Sequence, residues 1–173
     1  MKQRVLLDAA AIASRVAELA DEIAAAMPRE FVVVGVLRAS FVFVADLVRQ
    51  LDRAGAAPLV EFVHLSSYGV GRTGGAVQLV GAAPQNVAGR DVVLVDTVVE
   101  SGRSLAAARE ILRAQSCGRI RTCALIEKRG GDAIVPRPDF IGFAAAADQF
   151  LVGYGLDDGG QLRHLRHVAV VEQ

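Results

Sequence analysis

The stretch Val92-Val-Leu-Val-Asp-Thr-Val-Val-Glu-Ser-Gly-Arg-Ser-Leu105 joins an apolar segment to a polar turn and then to a helical pattern. Residues Asp91 to Val95 form a short run of β-branched and Leu residues, which is typical of a strand buried on both faces of a parallel sheet. Residues Ala106 to Gln115 carry apolar side chains at helical spacing. This order predicts a strand, a turn and a helix, with the turn where open α/β sheets bind their ligands.

The polar turn of this unit has the composition of an anion site. Ser101-Gly-Arg-Ser104 would place backbone N–H groups and two hydroxyls at a helix N-terminus, where the helix dipole favours a phosphate. Asp96 and Glu100 lie at the carboxyl end of the predicted strand and are suited to ribose hydroxyls, a metal ion or a proton. An isolated Ser-Gly-x-Ser is more often a helix cap, and acids near it are more often solvated loop residues. Here the position of the two acids beside the turn favours a ligand site.

The rest of the chain alternates short apolar runs with amphipathic segments and contains no Pro-, Ser- or charge-rich linker. Two further helices are predicted, over Asp8–Met27 and Ser40–Leu51. The other predicted strands are Phe31–Val36, Leu59–Leu65, Val77–Val80, Ile120–Ile126, Asp139–Phe143, Phe150–Val152 and Val168–Val171. The alternation predicts one α/β domain over residues 1–173, with a mainly parallel twisted sheet flanked by helices.

Composition excludes several functional classes. The 173 residues include 19 Lys plus Arg and 19 Asp plus Glu, so no net charge favours binding to nucleic acid. The hydrophobic fraction is 53%, but the apolar runs are too short for a membrane span, and the basic start lacks the apolar region of a secretory signal. Cys117 and Cys123 lack metal-ligand spacing. We expect a cytoplasmic protein without nucleic-acid or membrane partners, whose apolar excess fits a doubly covered sheet or a subunit interface.

The segment from Val92 to Leu105 resembles the phosphoribosyl pyrophosphate motif of the type I phosphoribosyltransferase family. That motif runs apolar strand, two acids, two aliphatic residues, an acid, Ser or Thr, Gly, any residue, Ser or Thr. Thr97 departs from it, because it stands where the family has its second acid. The resemblance implies a small hood formed by the N- and C-terminal segments and Glu100 as the catalytic base. It also implies a phosphoribosyl site formed by Asp96, Thr97, Ser101, Gly102, Arg103, Ser104 and Leu105.

Two other segments resemble the pyrophosphate-binding parts of the purine branch of this family. In Val34-Gly-Val-Leu-Arg-Ala-Ser-Phe41, the resemblance implies that Leu37, Arg38 and Ala39 bind pyrophosphate, in a turn that the family often holds in a cis non-proline peptide. The segment His64-Leu-Ser-Ser-Tyr-Gly69, followed by Val70-Gly-Arg-Thr-Gly-Gly75, resembles the loop that closes over the site, with Ser67 and Tyr68 at pyrophosphate. Taken alone, Arg38 fits a surface charge and the second segment fits an ordinary hairpin loop.

The base-binding parts of the purine branch are matched near the end of the chain. Lys128, directly after the predicted strand Ile120–Ile126, stands where these enzymes hydrogen-bond the exocyclic oxygen of the base. An ammonium donates but does not accept, which favours a 6-oxopurine over adenine. The resemblance implies that Phe150 stacks on the purine and Leu151 contacts its edge, although Phe150 alone fits a core aromatic. Further implied positions are Asp157 at the base and, with Asp96, at Mg²⁺, and Arg163 at pyrophosphate.

The resemblance as a whole implies purine salvage. Phosphoribosyl would pass from phosphoribosyl pyrophosphate to hypoxanthine and/or guanine, with Mg²⁺, in a homodimer or homotetramer; xanthine remains an alternative base. A catalytically weakened nucleotide-binding or regulatory protein on the same fold is the alternative that Thr97 supports. A nucleic-acid-binding regulator is a second alternative, against which the neutral charge argues.

Overall fold

The computed structural model describes residues 2–68, 76–129 and 136–172. In these residues the elements, in chain order, are β1 (Lys2–Leu7), α1 (Ala9–Ala26), β2 (Val32–Leu37), α2 (Phe41–Arg53), β3 (Leu59–Tyr68), β4 (Ala76–Leu79), β5 (Val92–Val99), α3 (Arg103–Ala114), β6 (Ile120–Arg129), β7 (Phe140–Ala146), β8 (Leu151–Val152) and β9 (Val168–Glu172). The α/β alternation predicted from the sequence is confirmed.

The larger sheet has six strands in the order β4-β3-β2-β5-β6-β7. Strands β3, β2, β5, β6 and β7 are mutually parallel, and β4 pairs antiparallel with β3 at one edge. The two central strands, β2 and β5, are buried along nearly their whole length. Such burial requires cover on both faces, which explains why their sequences are continuous apolar runs.

Helices cover both faces of this sheet. Apolar residues of α1 and α2, such as Leu19 and Leu47, share one core cluster with Val33 and Val93 of the central strands. Residues of α3 share a second cluster with the intervening strand positions, including Leu94. The core is divided into two clusters because successive side chains of a strand point to opposite faces of the sheet. The ends of β2 and β5 are thereby fixed between two packed layers.

The smaller sheet is the hood that the family resemblance implies. It has three strands in the order β1-β9-β8, and both pairings are antiparallel. Strand β1 was not predicted, because its first four residues are exposed and carry no apolar alternation. It forms through backbone pairing with β9, in a register that places Lys2 opposite Glu172.

Strands β3, β5, β6 and β7 extend well beyond their predicted ends, and α3 begins earlier, at Arg103. Parallel pairing carries β5 as far as Val99 opposite Glu127, and carries β6 and β7 as far as Arg129 opposite Ala146. Consequently Asp96 and Lys128, which we expected at or after strand ends, lie within β5 and β6. None of the helices formed by the described residues is long and apolar enough to cross a membrane.

Candidate active site

A cavity of about 140 Å³ lies where β5 runs into α3, and its lining is Asp96, Val98, Val99, Glu100, Ser101, Gly102, Arg103, Ser104 and Leu105. Gly102 is the N-cap of α3 and has a left-handed φ of 77°, which favours glycine. The Arg103 N–H lies 3.5 Å from the Ser101 hydroxyl. The cavity therefore faces the positive end of a helix dipole and its unpaired N–H groups, which is the arrangement that binds phosphate.

Asp96 provides the buried carboxyl of this cavity. Its side chain is 8% exposed, and its Oδ1 accepts a 2.8 Å hydrogen bond from the Thr97 N–H. Burial raises the pKa of the Asp96 carboxyl to about 7, although hydrogen bonds from the Thr97 and Val98 backbone act in the opposite direction. A cation or a hydroxyl donor bound beside Asp96 would favour its ionised form.

Thr97 occupies a different environment from Asp96. Its side chain is fully buried, and its hydroxyl oxygen has no hydrogen-bond partner. Adjacent residues of a strand point to opposite faces, and β5 continues through both positions. The two residues of the predicted acid pair are thus divided, with Asp96 at the cavity and Thr97 in the interior.

Glu100 and Lys128, predicted as catalytic base and base-binding donor, form an ion pair. The Lys128 Nζ donates to Glu100 Oε2 at 3.0 Å and lies 3.5 Å from the Ala147 carbonyl oxygen. The Lys128 side chain is 11% exposed and that of Glu100 is 54% exposed. The sheet brings them together because β5 and β6 are parallel neighbours and Glu100 directly follows β5. A buried donor and an accessible acceptor thus lie side by side.

Glu127, the residue next to Lys128, also forms an ion pair. It lies within β6, is 8% exposed, and accepts two 2.6 Å hydrogen bonds from the Arg137 guanidinium. Pairing with β5 and β7 on both sides extends β6 through this residue. The Glu127–Arg137 pair joins the end of β6 to the segment that precedes β7.

The predicted pyrophosphate loop connects β2 to α2. The peptide bond between Leu37 and Arg38 is cis, as the family resemblance implies. Arg38 is exposed, whereas Ser40 is fully buried and makes no side-chain capping bond to α2. Of the predicted closing loop, residues 69–75 and the side chains of Ser67 and Tyr68 lie outside the described residues.

The predicted base-binding segment leads into the hood. Phe150 is partly buried, and its carbonyl oxygen accepts a hydrogen bond from the Val171 N–H at 3.0 Å. Leu151 of β8 pairs with Val170 of β9. Asp157 and Arg163 are in direct contact, with Arg163 Nη2 2.7 Å from Asp157 Oδ1. The other oxygen of Asp157 accepts the Gly160 N–H at 2.7 Å. The structure therefore brings the predicted metal ligand and the predicted pyrophosphate arginine together.

Comparison with known proteins identifies the family, because the phosphoribosyl transferase domain profile matches residues 3–158. The chain belongs to the phosphoribosyl transferase family. The hypoxanthine-guanine phosphoribosyltransferase of Aquifex aeolicus is 37% identical over 174 residues, covering 99% of this chain and 96% of the relative. The hypoxanthine phosphoribosyltransferase of Escherichia coli K12 is 34% identical over 171 residues, covering 96% and 94%.

A solved structure extends the family comparison to three dimensions. The chain matches a hypoxanthine-guanine phosphoribosyltransferase of Bacillus anthracis, solved with a HEPES molecule in its active site, with a TM-score of 0.89 and 30% identity over 98% of both chains. The predicted resemblance and the predicted fold are thereby confirmed.

Within this phosphoribosyl transferase fold, sequence reasoning missed one contact beside the predicted site. The Tyr154 hydroxyl, in the turn after β8, donates a 2.6 Å hydrogen bond to Asp46 of α2. Burial, and then the bond to Asp46, raise the pKa of Tyr154 well above its usual value, so the hydroxyl remains a donor at neutral pH. The only sequence signal was an isolated acid in the apolar stretch of residues 41–48.

Proposed function

We propose that this protein transfers the phosphoribosyl group from phosphoribosyl pyrophosphate to a 6-oxopurine, hypoxanthine and/or guanine, in purine salvage. The products are the nucleoside 5′-monophosphate and pyrophosphate. The observation that carries the proposal is the Lys128–Glu100 pair, a largely buried ammonium 3.0 Å from an accessible carboxylate, beside the cavity at the start of α3. The names of the relatives support the same reaction.

The pair is complementary to one edge of a 6-oxopurine. That edge carries an oxygen acceptor, O6, next to a nitrogen, N7, which is protonated in one tautomer of the free base. Lys128 can donate to O6 while Glu100 accepts the N7 proton. Each side chain thus exchanges its partner in the ion pair for a hydrogen bond to the base. Adenine offers an amino group where Lys128 needs an acceptor, so two donors face each other and the ammonium gains no hydrogen bond from the base.

The reaction then requires positioning and charge stabilisation more than covalent help. The bond between ribose C1 and the pyrophosphate oxygen breaks, the bond from N9 of the base to C1 forms, and Glu100 receives the proton of the base. The turn of Ser101, Gly102, Arg103, Ser104 and Leu105 holds the 5′-phosphate of the substrate. Asp96 and Thr97 are proposed for the ribose side of this site.

We propose that Mg²⁺ enters with phosphoribosyl pyrophosphate and is held by Asp96 and Asp157. Mg²⁺ commonly uses one or two carboxylates together with substrate oxygens. The donor set fits this mode, because residues 2–68, 76–129 and 136–172 contain no cluster of three or more metal-binding side chains. Burial disfavours the ionised form of the Asp96 carboxyl, and a bound cation would offset that effect. When bound, the ion neutralises charge on the leaving pyrophosphate.

The remaining substrate contacts are proposals from the family resemblance. Leu37, Arg38, Ala39 and Arg163, with Ser67 and Tyr68, are proposed to bind pyrophosphate. Phe150 is proposed to stack on the purine, and Leu151 and Asp157 to contact its edge. The hydrogen bond between Phe150 and β9, and the pair between Arg163 and Asp157, support a preformed site, because they fix these groups before substrate arrives.

We further propose one domain over residues 1–173, a cytoplasmic location and a homodimer or homotetramer. The free thiols of Cys117 and Cys123 support a reducing compartment. Exposed apolar side chains on β3 support self-association, since Leu59, Val60 and Phe62 are 42%, 42% and 38% exposed. Light scattering during gel filtration tests the assembly.

The proposed reaction is tested by pyrophosphate release from phosphoribosyl pyrophosphate with hypoxanthine, guanine, xanthine and adenine supplied separately. We expect Mg²⁺-dependent release with hypoxanthine or guanine and much less with adenine. Preference for adenine would contradict the role of Lys128. Binding of the nucleotide without turnover of any base would instead favour the catalytically weakened alternative.

A further inference from the structure

A contact between the hood and the large sheet lies directly beside the proposed pyrophosphate loop. Tyr154 follows β8 of the hood, is 5% exposed, and donates its hydroxyl to Asp46 Oδ2 at 2.6 Å. Asp46 belongs to α2, the helix that begins two residues after Ala39. The other carboxylate oxygen of Asp46 pairs with Arg49 on the same helix. The hydrogen bond therefore ties the turn after β8 to an acid of α2 that also pairs with Arg49.

The next residue of the same turn lies against the pyrophosphate loop itself. Gly155 has a φ of 96°, and a Cβ added there would lie 2.1 Å from the Ala39 carbonyl oxygen. Its N–H donates to the Arg163 carbonyl oxygen at 3.0 Å, and its own carbonyl accepts from Arg163 Nη1 at 2.6 Å. The backbone of this turn is thus packed against Ala39 on one side and held by Arg163 on the other.

This contact joins two halves of the proposed site that belong to different sheets. Phe150 and Asp157, proposed for the base and the metal, flank the turn in the hood. Leu37 ends β2 of the large sheet, and Ala39 lies in the loop that follows it. The base and the pyrophosphate must lie on opposite sides of ribose C1 for one bond to form as the other breaks. An error of about 1 Å in such a separation can cost about a hundredfold in rate.

We propose that Tyr154 and Asp46 are positioning residues, whose hydrogen bond sets the separation between the base site and the pyrophosphate site. The inference rests on the proposed function, since it uses the proposed positions of the two substrates. In this proposal neither residue touches substrate. They act through the turn that carries Gly155 and through α2, which directly follows the pyrophosphate loop.

The decisive variant is Tyr154→Phe, which removes the hydroxyl and keeps the ring. We expect kcat to fall about tenfold to a hundredfold, while KM for the base and for phosphoribosyl pyrophosphate each change less than about threefold. Each half of the site remains intact, so binding of either substrate is preserved and only their mutual alignment is lost. Asp46→Ala should reproduce this pattern, and Asp46→Asn, which keeps an oxygen acceptor, should restore most of kcat.

A double-mutant cycle and a matched control separate positioning from general stability. Tyr154→Phe combined with Asp46→Ala should be no slower than either single variant. The control is Thr122→Val, which removes another buried hydroxyl bond between elements, from Thr122 Oγ1 to Asp139 at 3.0 Å, away from the proposed site. It should lower the unfolding midpoint and leave kcat unchanged.

Three results would overturn the proposal: an unchanged kcat in Tyr154→Phe, independent effects of the two variants, or an equal loss of kcat in Thr122→Val. These outcomes are distinct from failure of the proposed function, which would appear as wild-type protein that is inactive with every purine base.

Discussion

Asp96→Asn tests how burial acts on the carboxyl group that lines the cavity at the start of α3. Burial raises the pKa of Asp96 from 3.8 to about 7, so the folded chain ionises at higher pH than the unfolded chain. The contribution of neutral Asp96 to stability is therefore fully present below pH 3.8 and is lost as the pH rises through about 7. The ligand-free protein consequently carries an unfavourable buried charge at pH 8.

The size of this penalty follows from the pKa. Each tenfold change in an ionisation constant is worth about 1.4 kcal/mol, so a rise from 3.8 to about 7 corresponds to about 4 kcal/mol at pH 8. Asparagine stays neutral and keeps an oxygen that can accept the Thr97 N–H, as Asp96 does at 2.8 Å. We expect Asp96→Asn to be more stable than wild type at pH 8 by as much as about 4 kcal/mol, with the difference vanishing near pH 4.

The assay is urea unfolding of both proteins between about pH 4 and 8, without Mg²⁺ or phosphoribosyl pyrophosphate. The matched control is Asp139→Asn. Asp139 accepts the Thr122 N–H and pairs with Arg121, so that variant should be less stable than wild type at pH 8. A pH-independent difference, or an Asp96→Asn variant that is less stable at pH 8, would refute the reasoning. Binding of Mg²⁺ with phosphoribosyl pyrophosphate should weaken in Asp96→Asn, because the neutral amide lacks the negative charge that attracts the cation. The same charge would then lower stability and support function.

Four further variants test the site. Gly102→Val places a branched side chain at a φ of 77° in the cavity and should weaken equilibrium binding of both phosphoribosyl pyrophosphate and the nucleotide product; unchanged affinities would contradict the phosphate assignment. Lys128→Ala should lower kcat/KM for hypoxanthine about tenfold to a hundredfold, and normal use of hypoxanthine would exclude the proposed role. Glu100→Gln should lower kcat far more than substrate affinity, and an equal loss of both would count against a catalytic base. Thr97→Asp should lower the free energy of unfolding by about 1 to 3 kcal/mol, because the new carboxyl has no partner there, and higher stability in urea would contradict this.

The elements that could be predicted from sequence are those whose burial leaves a regular pattern. Strands β2 and β5 are covered on both faces and appear as continuous apolar runs, while α1 buries one stripe of residues at helical spacing. Strand β1 has no such stripe, and its existence depends on β9, which lies at the other end of the chain. The ends of β5, β6 and β7 were underestimated because neighbouring strands, and not local residues, determine how far pairing continues.

In the candidate site, too, individual residues could be predicted from the sequence but their contacts could not. Glu100 and Lys128 each lie in a recognisable motif, but their contact joins positions 28 residues apart and depends on the order of β5 and β6 in the sheet. The contact between Tyr154 and Asp46 joins positions 108 residues apart and belongs to no motif. Local sequence therefore indicated which groups we propose for the chemistry, whereas the tertiary fold determines which of them meet.

The continuation of β5 through Val99 also changes the meaning of the Thr97 substitution. At a strand end followed by an irregular turn, two adjacent side chains can approach the same ligand. Within a strand they point to opposite faces, and here Asp96 lines the cavity while Thr97 is fully buried. The loss of an acid at Thr97 therefore removes less negative charge from the cavity wall than the motif alone indicates. It follows that Thr97 is weak evidence for a catalytically weakened protein, because Asp96 and Glu100 both still line the cavity.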